Sequence, residues 1–392
     1  MTPCAPRLLA AVPLLAAPGL AGTVPAAPAA QRLCDEGWRA MMETWHERTG
    51  LVYGCLPEHV RSSRDCVNGM FAWKGDGGYG AGMSDCALVC GTALSGLVDR
   101  FAVLGDDLSR EDAAKVARGV LNLARLHGVR GFVARGLCAD DARSICSLSS
   151  RDQYTHWVHG LWRYAGSPMA DPALVSEYRT LVADVARFME ERVTPERGWN
   201  FGLADGGVDP RGICTMWGPG LGPHENARLP MIYAAANLAT GDPHWRGLYE
   251  RCIDEALDLT LRIAGPDRAQ FLERMPCYAF YQANASLELL LAVERGNFVR
   301  REKIERAMRA FSELAADTAK QALRAPDAEP PYGMCWDGEL VLAMLMAPGQ
   351  PDAETARALL EQAVARLDLA TSGVIRAAHI MAAYWRFRCN QP

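Results

Sequence analysis

The stretch GMSDCALVCGTALSGLVDRF, at residues 82–101, carries the signal that decides the fold. After Asp85 it is apolar on almost every side of a helix, and a helix with so little polar surface must be buried. The next stretch, SREDAAKVARGVLNLARLHG at residues 109–128, instead combines one apolar stripe with one charged face. It predicts an outer helix that covers the buried inner one.

This alternation of inner and outer helices continues along the chain. Apolar spacing, proline breaks and capping residues predict twelve helices. Six alternating pairs are typical of an (α/α)6 toroid, so we predict an all-α fold whose six inner helices run parallel. Two stacked helical domains are the alternative, but no Pro/Gly/Ser-rich linker divides residues 110–392. The predicted helices lie near residues 35–49, 85–103, 110–128, 152–165, 171–193, 225–240, 244–264, 278–295, 301–323, 337–347, 352–368 and 372–388.

The first thirty residues have the pattern of a secretory signal peptide. Arg7 precedes the apolar stretch LLAAVPLLAAPGLAGTV, and the small residues VPAAPAA follow before Gln31. A charged start, an apolar stretch and an A-x-A-like end define such a leader. We therefore expect a signal peptide over 1–30, a single toroid catalytic domain over 31–392, and a secreted or periplasmic protein. A disordered Ala/Pro leader that stays in place is the alternative.

The composition excludes several classes of protein. With 392 residues, 49% hydrophobic and 22% charged, the chain is neither disordered nor fibrous. A net charge of −5 argues against a nucleic-acid partner, which usually requires a basic face. No later apolar run looks long enough to span a membrane. We expect neither a nucleic-acid partner nor a membrane span.

The loops that enter the predicted inner helices are long, whereas the return connections are short. GMFAWKGDGGYGAGMSD precedes the first inner helix, and GDPH is one of the short returns. Long loops in a compact domain usually carry function. Because parallel inner helices place all their entering loops on one rim, we predict that the functional site lies there.

Two aspartates begin neighbouring inner helices. Asp85 ends the first long loop, and Asp152 does the same in SSRDQYTH. Two carboxylates that face each other across a cavity can perform the acid/base hydrolysis of a sugar acetal. The alternative is that each aspartate only caps its helix.

Aromatic and polar side chains surround these aspartates on the predicted rim. Flat rings beside amides, imidazoles and guanidiniums suit a sugar, whose C–H faces stack and whose hydroxyls need hydrogen-bond partners. Ordinary packing is the alternative for each ring taken alone, and a satisfied core histidine is the favoured interpretation of the nearby His159. The candidate substrate-binding residues are Arg151, His156, Trp199, Trp217, His224, Tyr281, Trp336 and Asp337.

The cysteines favour disulfides over a metal site. The sequence has 13 cysteines, and removal of the leader with Cys4 would leave an even number, which suits disulfides in an exported protein. Cys138 and Cys146 flank one compact loop, and Cys55 and Cys66 flank another. No C-x-x-C or H-E-x-x-H occurs in the sequence. We therefore expect no metal and no cofactor.

With Asp85 and Asp152 placed, the chain resembles the (α/α)6 glycoside hydrolases that act on unsaturated uronides, the unsaturated glucuronyl and rhamnogalacturonyl hydrolases. The resemblance rests on GMSDCALVCGTAL and SSRDQYTHWVHGLW and on the helical layout of the whole chain. It implies two functional aspartates on early inner helices, one of them the general acid/base. The positions that match are Asp85 and Asp152.

The favoured hypothesis is a secreted glycoside hydrolase acting on an oligosaccharide or polysaccharide that contains uronic acid. Asp152 would be the general acid/base, Asp85 its partner, and Arg151 or His224 the clamp for a uronate. A polysaccharide lyase on the same toroid is the second hypothesis, with Tyr154, His156, His224 and Tyr281 as candidate bases. A non-catalytic glycan- or protein-binding toroid is the third.

The predicted location of the site is a single deep pocket at the rim where the inner helices begin. It should contain Asp85, Asp152, His224 and Asp337, and short turns should close the opposite end. Six helix N-termini bring partial positive charge to this rim and would attract an anionic sugar. The long loops add Trp73, Tyr79, Arg135, Trp199, Trp217 and Trp336.

Overall fold

The computed structural model describes residues 27–73, 78–266, 268–272, 275–324, 337–367 and 369–391. Its short strands form two pairs, β1 (Trp45–His46) antiparallel to β2 (Leu51–Val52), and β3 (Met70–Phe71) parallel to β4 (Ile145–Cys146). The helices in these residues are α1 (Ala27–Met42), α2 (Cys86–Leu104), α3 (Asp107–Arg125), α4 (Arg151–Ala165), α5 (Pro172–Arg192), α6 (Arg228–Thr240), α7 (Pro243–Leu261), α8 (Arg268–Leu272), α9 (Tyr278–Val293), α10 (Phe298–Arg324), α11 (Asp337–Met346), α12 (Ala353–Ala365) and α13 (Leu369–Cys389).

Six of these helices close an inner ring. Each packs on the next in the order α2, α4, α6, α9, α11 and α13, and α13 returns to pack on α2. The helices α3, α5, α7, α10 and α12 surround this ring, each packed on at least one inner helix that adjoins it in the chain, and α1 packs on α13 and α12. The structure confirms the predicted (α/α)6 toroid. Inner and outer helices alternate, so the inner helices all begin on one rim.

The first helix is the one whose position the sequence predicted wrongly. It was expected near residues 35–49, but α1 ends at Met42 and the chain then forms the β1–β2 hairpin. The turn ends at Gly50, which has a positive φ of 70°. A Cβ at Gly50 would lie 2.7 Å from the backbone nitrogen of Gly119 on α3. Residues 47–50 therefore form a tight turn against α3 instead of a last helical turn.

Small residues allow the inner helices to approach one another closely. A Cβ at Gly91 of α2 would lie 2.4 Å from the carbonyl oxygen of His156 on α4, and one at Gly160 would lie 2.5 Å from the carbonyl oxygen of Gly91. On the other side of α2, a Cβ at Gly96 would lie 2.8 Å from Cα of Ala382 on α13. No side chain fits at these crossings, which explains why the apolar helix α2 contains glycines.

We expect Gly91→Ala to destabilise the protein by about 1–3 kcal/mol, because the added methyl group must displace the backbone of α4. Urea unfolding measures this change. Gly247→Ala on α7 is the matched control, since the space around Gly247 is open. Alanine there should be neutral or stabilising by up to about 1 kcal/mol, because it favours a helix over glycine. Equal effects of the two substitutions would contradict the close crossing.

Helix α2 is long and apolar enough to cross a membrane by length and composition, which the sequence analysis did not anticipate. Most of its surface is buried inside the described structure, between α4 and α13. Its apolar character is therefore accounted for by its place in the inner ring, as expected for the core helix of a packed domain.

Cys55, Cys66, Cys138 and Cys146 form no disulfide in the described structure. The pairs expected from sequence spacing, Cys138 with Cys146 and Cys55 with Cys66, are therefore not present as disulfides. The loops fold so that Cys146 lies in β4, in register with Phe71, and Cys55 lies against Gly82. Spacing along the chain did not reveal these contacts between loops.

The end of the ring opposite the inner-helix N-termini is closed by buried charges. Asp99 on α2 accepts hydrogen bonds from both terminal nitrogens of Arg163 on α4, at 2.7 and 2.9 Å. Arg386 on α13 contacts both Asp99 and Glu288 of α9, and His159 contacts Glu288 at 2.7 Å. The network joins four of the six inner helices across the base of the ring.

Candidate functional site

A cavity of about 1000 Å³ opens at the rim where the inner helices begin. Its walls come from the first turns of α2, α4, α6, α9 and α11 and from the segments that precede α2, α4, α6 and α9. The charged side chains of its lining are four carboxylates and five arginines. They are Asp85, Asp152, Glu225 and Glu339, and Arg135, Arg151, Arg211, Arg228 and Arg262.

Asp85 and Asp152 do not cap their helices. Asp85 stands at the N-cap position of α2, yet its side chain makes no capping hydrogen bond. Asp152 lies in the first turn of α4, and its carboxylate accepts from a side chain instead of a backbone N–H. At the start of an outer helix, by contrast, Asp242 accepts from the backbone N–H of His244 at 2.9 Å. The two inner aspartates therefore face the cavity with their carboxylates.

Asp152 is held as an anion. Its Oδ1 accepts a hydrogen bond from Arg228 Nη1 at 2.5 Å, and 29% of its side chain is exposed to the cavity. Burial would raise the pKa of Asp152, but the guanidiniums of Arg228 and Arg151 outweigh it and hold the pKa below its usual value. An ionised Asp152 suits a general base or the stabilisation of positive charge.

Asp85 lies beside Asp152 on the neighbouring inner helix. Its Oδ1 accepts hydrogen bonds from Arg135 Nη1 at 3.0 Å and from Gln153 Nε2 at 2.9 Å. Gln153 follows Asp152 directly in α4, so this bond ties the two aspartates into one wall of the cavity. The other oxygen of Asp85 makes no hydrogen bond within the described structure and is available to a substrate.

The Arg151 side chain already binds other residues of the protein. Its guanidinium pairs with Glu225, and it donates to the carbonyl oxygens of Gly212 at 2.6 Å and Thr215 at 3.0 Å. Next to Glu225, His224 lines the cavity as a neutral imidazole, because burial lowers its pKa to about 4 despite the adjacent carboxylate. These contacts fix the loop that precedes α6.

The far wall of the cavity holds the fourth carboxylate of the lining. Glu339, in the first turn of α11, is fully buried and its Oε1 lies 3.4 Å from His379 Nε2. Tyr278, at the start of α9, lines the same wall, and burial together with the charge of Asp152 raises its pKa to about 12. In the ring order, α11 lies opposite α4, so Glu339 and Asp152 face each other across the cavity.

Aromatic rings and arginines stack at the mouth of the cavity. Trp73 and Tyr79 stack with ring centroids 6.5 Å apart, and the Arg135 guanidinium lies 3.8 Å from the Tyr79 centroid. Arg211 lies 5.1 Å from the Trp73 centroid and 5.5 Å from the Tyr79 centroid. Arg211 is exposed and forms no ion pair with any residue that the structure describes. The mouth therefore offers a free cation beside flat apolar surfaces.

The structure brings together some of the residues selected from the sequence and separates others. Asp85, Asp152, Arg151 and His224 line the cavity, and so do Tyr79 and Arg135 of the predicted rim. Trp336 lies outside the described residues. The selected residues that do not line the cavity are His156, Trp199, Trp217, Tyr281 and Asp337.

These five side chains have packing and hydrogen-bonding positions instead. His156 and Tyr281 lie deeper in the ring, where their rings contact each other with centroids 5.4 Å apart. Trp217 is buried in the core and Trp199 packs beside it. Asp337 pairs with Arg376 of α13 at 2.8 Å. None of the five is among the described residues that line the cavity.

The residues of the site that were not selected from the sequence include Arg211, Glu225, Arg228 and Glu339. One signal would have found two of them. Arg228 is the only charged residue of α6, and Glu339 is the one fully buried charge of α11, where Asp337 is the other; both helices are otherwise apolar. A lone charge on a helix that is buried on every side needs a partner or a function.

A polar column continues from the cavity into the ring. Arg228 Nη2 donates to Gln282 Oε1 at 2.6 Å, Gln282 Nε2 lies 3.4 Å from His156 Nε2, and His156 Nδ1 lies 2.9 Å from Thr92 Oγ1. Thr92 Oγ1 lies 3.3 Å from His379 Nε2. The described residues contain no group of three or more His, Cys, Asp or Glu placed to hold a metal ion.

The buried histidines predict a protein that loses stability in mild acid. Burial lowers the pKa of His224 and of His379 to about 4, so the unfolded chain binds more protons than the folded one between about pH 6.5 and 4. Stability should therefore fall as pH decreases through this window, by up to about 3 kcal/mol for each histidine. The measurement is Tm between pH 7 and pH 4.5.

His379→Gln should flatten this dependence, because it removes one depressed pKa. His244→Gln is the matched control, since it removes an exposed histidine that pairs with Glu190 on the surface and leaves both buried histidines in place. A Tm that stays constant from pH 7 to pH 4.5 would contradict the buried neutral histidines.

The chain matches no protein-family model and no curated protein. Its fold is similar to those of two solved structures. One is the apo structure of a β-1,3-1,4-glucanase from Paenibacillus sp. X4, with a TM-score of 0.52 and 8% identity over 93% of this chain and 93% of that one. The other is a sugar epimerase from a ruminal bacterium, with a TM-score of 0.53 and 11% identity over 85% and 86%. At these identities the likeness concerns the fold alone.

Proposed function

We propose that this protein is a carbohydrate-active enzyme that hydrolyses a glycosidic bond of an oligosaccharide or polysaccharide. The observation that carries the proposal is the pair Asp85 and Asp152. They begin neighbouring inner helices, they cap neither helix, and both line the cavity at the rim. The likeness in fold to a glucanase and to a sugar epimerase supports carbohydrate chemistry.

Asp152 acts on the reacting centre as an ionised carboxylate. The lowered pKa caused by Arg228 and Arg151, against the effect of burial, makes it a base that activates water or a charge that stabilises an oxocarbenium-like transition state. Asp85 is the partner that binds sugar hydroxyls through its second oxygen. Hydrolysis also needs a proton donor, and we assign that role to Glu339, the lining carboxyl that α11 contributes.

The substrate that we propose contains uronic acid. Arginines exceed carboxylates in the cavity lining, and the N-termini of the inner helices add partial positive charge. Of the clamps first considered, Arg151 is occupied by Glu225 and His224 is neutral. Arg211, stacked on Trp73 and free of ion pairs among the described residues, is the better clamp for a carboxylate.

Arg211→Ala should raise KM for a uronate-containing oligosaccharide by about tenfold or more, since a charge-assisted hydrogen bond is lost. KM for a neutral oligosaccharide should change little. Steady-state kinetics with the two substrates measure the difference. Arg179→Ala is the matched control, because Arg179 is an exposed arginine on the outer helix α5. An equal loss on both substrates would remove Arg211 as a uronate clamp.

The experiment that tests the activity is incubation with a panel of neutral, saturated-uronate and unsaturated-uronate oligosaccharides. Release of reducing ends reports hydrolysis, and near-ultraviolet absorbance reports the conjugated double bond. Hydrolysis of an unsaturated uronide erases that absorbance. Binding without turnover across the whole panel would overturn the hydrolase proposal and favour a glycan-binding toroid.

A polysaccharide lyase is the second candidate, and one observation favours it. His224 lines the cavity as a neutral imidazole, the state in which it can take a proton from the sugar carbon beside a uronate. The other bases considered, Tyr154, His156 and Tyr281, are buried away from the lining. A lyase would generate near-ultraviolet absorbance from a saturated uronate polymer, the opposite of the hydrolase result.

We also propose that the protein is exported, with a signal peptide over 1–30 and one catalytic domain over 31–392. Support comes from the leader pattern in the sequence, whose residues 1–26 lie outside the described structure. N-terminal sequencing of protein recovered outside the cytoplasm tests this proposal, and a mature chain that begins at Met1 would overturn it.

A further inference from the structure

Two loops pack against each other in register beside the cavity. One contains β3 and the other precedes α4 and contains β4. The backbone N–H of Ile145 donates to the carbonyl oxygen of Gly69 at 3.0 Å, and that of Ser147 donates to Phe71 at 2.9 Å. Backbone hydrogen bonds therefore join the two loops, although α2 and α3 separate them along the chain.

A pair of cysteine thiols lies between these loops. Cys66 precedes the Val67–Met70 bridge of the first loop, and a Cβ at Gly69 in that loop would lie 3.9 Å from Ser144 Oγ in the second. This packing brings the Cys66 thiol near Ser144 and the Cys138 thiol. The backbone N–H of Cys138 donates to the carbonyl oxygen of Ser144 at 2.8 Å, which places Cys138 and Ser144 at the two ends of one tight turn. Cys138 is buried, with its sulfur 3.9 Å from that of Met83, whereas Cys66 is partly exposed.

We propose that Cys66 and Cys138 form a disulfide when the protein meets a thiol–disulfide oxidant such as oxidised glutathione. The partly exposed Cys66 attacks the oxidant as a thiolate, forms a mixed disulfide and releases one oxidant thiol. The thiolate of Cys138 then attacks the Cys66 sulfur and releases the second. Two cysteine thiols lose two protons and two electrons, and the disulfide of the oxidant is reduced to two thiols.

This bond would link the two loops covalently around α2 and α3. It closes a loop of roughly 70 residues, and such closure stabilises the folded state mainly by restricting the unfolded chain. Arg135, which stacks on Tyr79 at the mouth of the cavity, lies shortly before Cys138. The disulfide would therefore stabilise the wall that carries the Arg135–Tyr79 contact, whatever reaction the cavity performs.

Peptide mapping of the intact chain tests the proposal directly. The protein is equilibrated in glutathione redox buffer, alkylated and digested with trypsin without reduction. The three neighbouring cysteines fall in three separate tryptic peptides, DCVNGMFAWK, GLCADDAR and SICSLSSR, which contain Cys66, Cys138 and Cys146 respectively. Mass spectrometry should find the first peptide linked to the second, and dithiothreitol should separate them.

Reduction should also lower Tm by about 5 °C. In Cys66→Ser both the linked peptide and the reduction-sensitive shift should disappear. Cys55→Ser is the matched control, since Cys55 is a partly exposed cysteine of a nearby loop, and it should retain both. Alkylated Cys66 after oxidation, a bond between Cys138 and Cys146, or a shift that persists in Cys66→Ser would each overturn the proposal.

Discussion

Asp152→Asn is expected to reduce turnover of the substrate by about 10³-fold while the fold survives. The amide keeps the shape of the carboxylate and can still accept a hydrogen bond from Arg228. It cannot take a proton from water, and it cannot offset positive charge at the anomeric carbon. Since the Arg228 and Arg151 guanidiniums hold Asp152 ionised, this loss of charge is the main change that the substitution makes.

The matched control is Asp242→Asn, which alters an aspartate at the start of an outer helix. Asp242 caps α7 and lies outside the cavity lining, so its loss should affect stability slightly and turnover not at all. Circular dichroism and Tm verify that both variants fold. Near-full turnover by a folded Asp152→Asn protein would exclude Asp152 from the chemistry.

The inner ring could be predicted from the sequence because a helix that is buried on all sides is apolar on all sides. A helix such as α11 has no polar face, whereas its outer neighbour α12 has a charged one. The alternation of inner and outer helices can therefore be recognised in the amino-acid sequence. The end of α1 could not be predicted in the same way. Residues 43–50 have no strong helix breaker before Gly50, and the contact of Gly50 with Gly119 depends on how α3 packs.

The site was predictable only as far as the first turn of each inner helix. Asp85 and Asp152 lie there and line the cavity. His156 lies one turn further into α4, which is enough to place it in the polar column below the cavity floor. The aromatic residues of the third long loop could not be placed, because Trp199 has a positive φ of 61° and turns towards the core.

The charges at the two ends of the ring have different consequences. At the rim, Asp85 and Asp152 keep partial contact with solvent and remain available for chemistry. At the base, Asp99 and Arg163 are buried and satisfy each other. Function is therefore expected to depend on the rim, and stability on the base.

Asp99→Ala is expected to lower the free energy of unfolding by about 3–5 kcal/mol. Asp99 is 1% exposed and accepts two hydrogen bonds from Arg163, and its Oδ2 also lies 3.2 Å from Arg386. Its removal leaves the Arg163 charge buried without a carboxylate at bonding distance. Equilibrium unfolding in urea measures the loss, and turnover of the folded fraction should be retained because the base lies away from the cavity.

Asp258→Ala is the control, because Asp258 forms an ion pair with Lys303 on the exposed surface and should contribute at most about 1 kcal/mol.

A double substitution distinguishes the cost of leaving the Arg163 charge unpaired from the cost of losing the contacts of Asp99. In Asp99→Leu combined with Arg163→Met, both buried charges are absent, so part of the stability should return relative to Asp99→Leu alone. If Asp99→Ala costs no more than Asp258→Ala, the base network does not hold the ring together. In that event the close helix crossings at Gly91 and Gly96 must supply the stability that we assign to the buried charges.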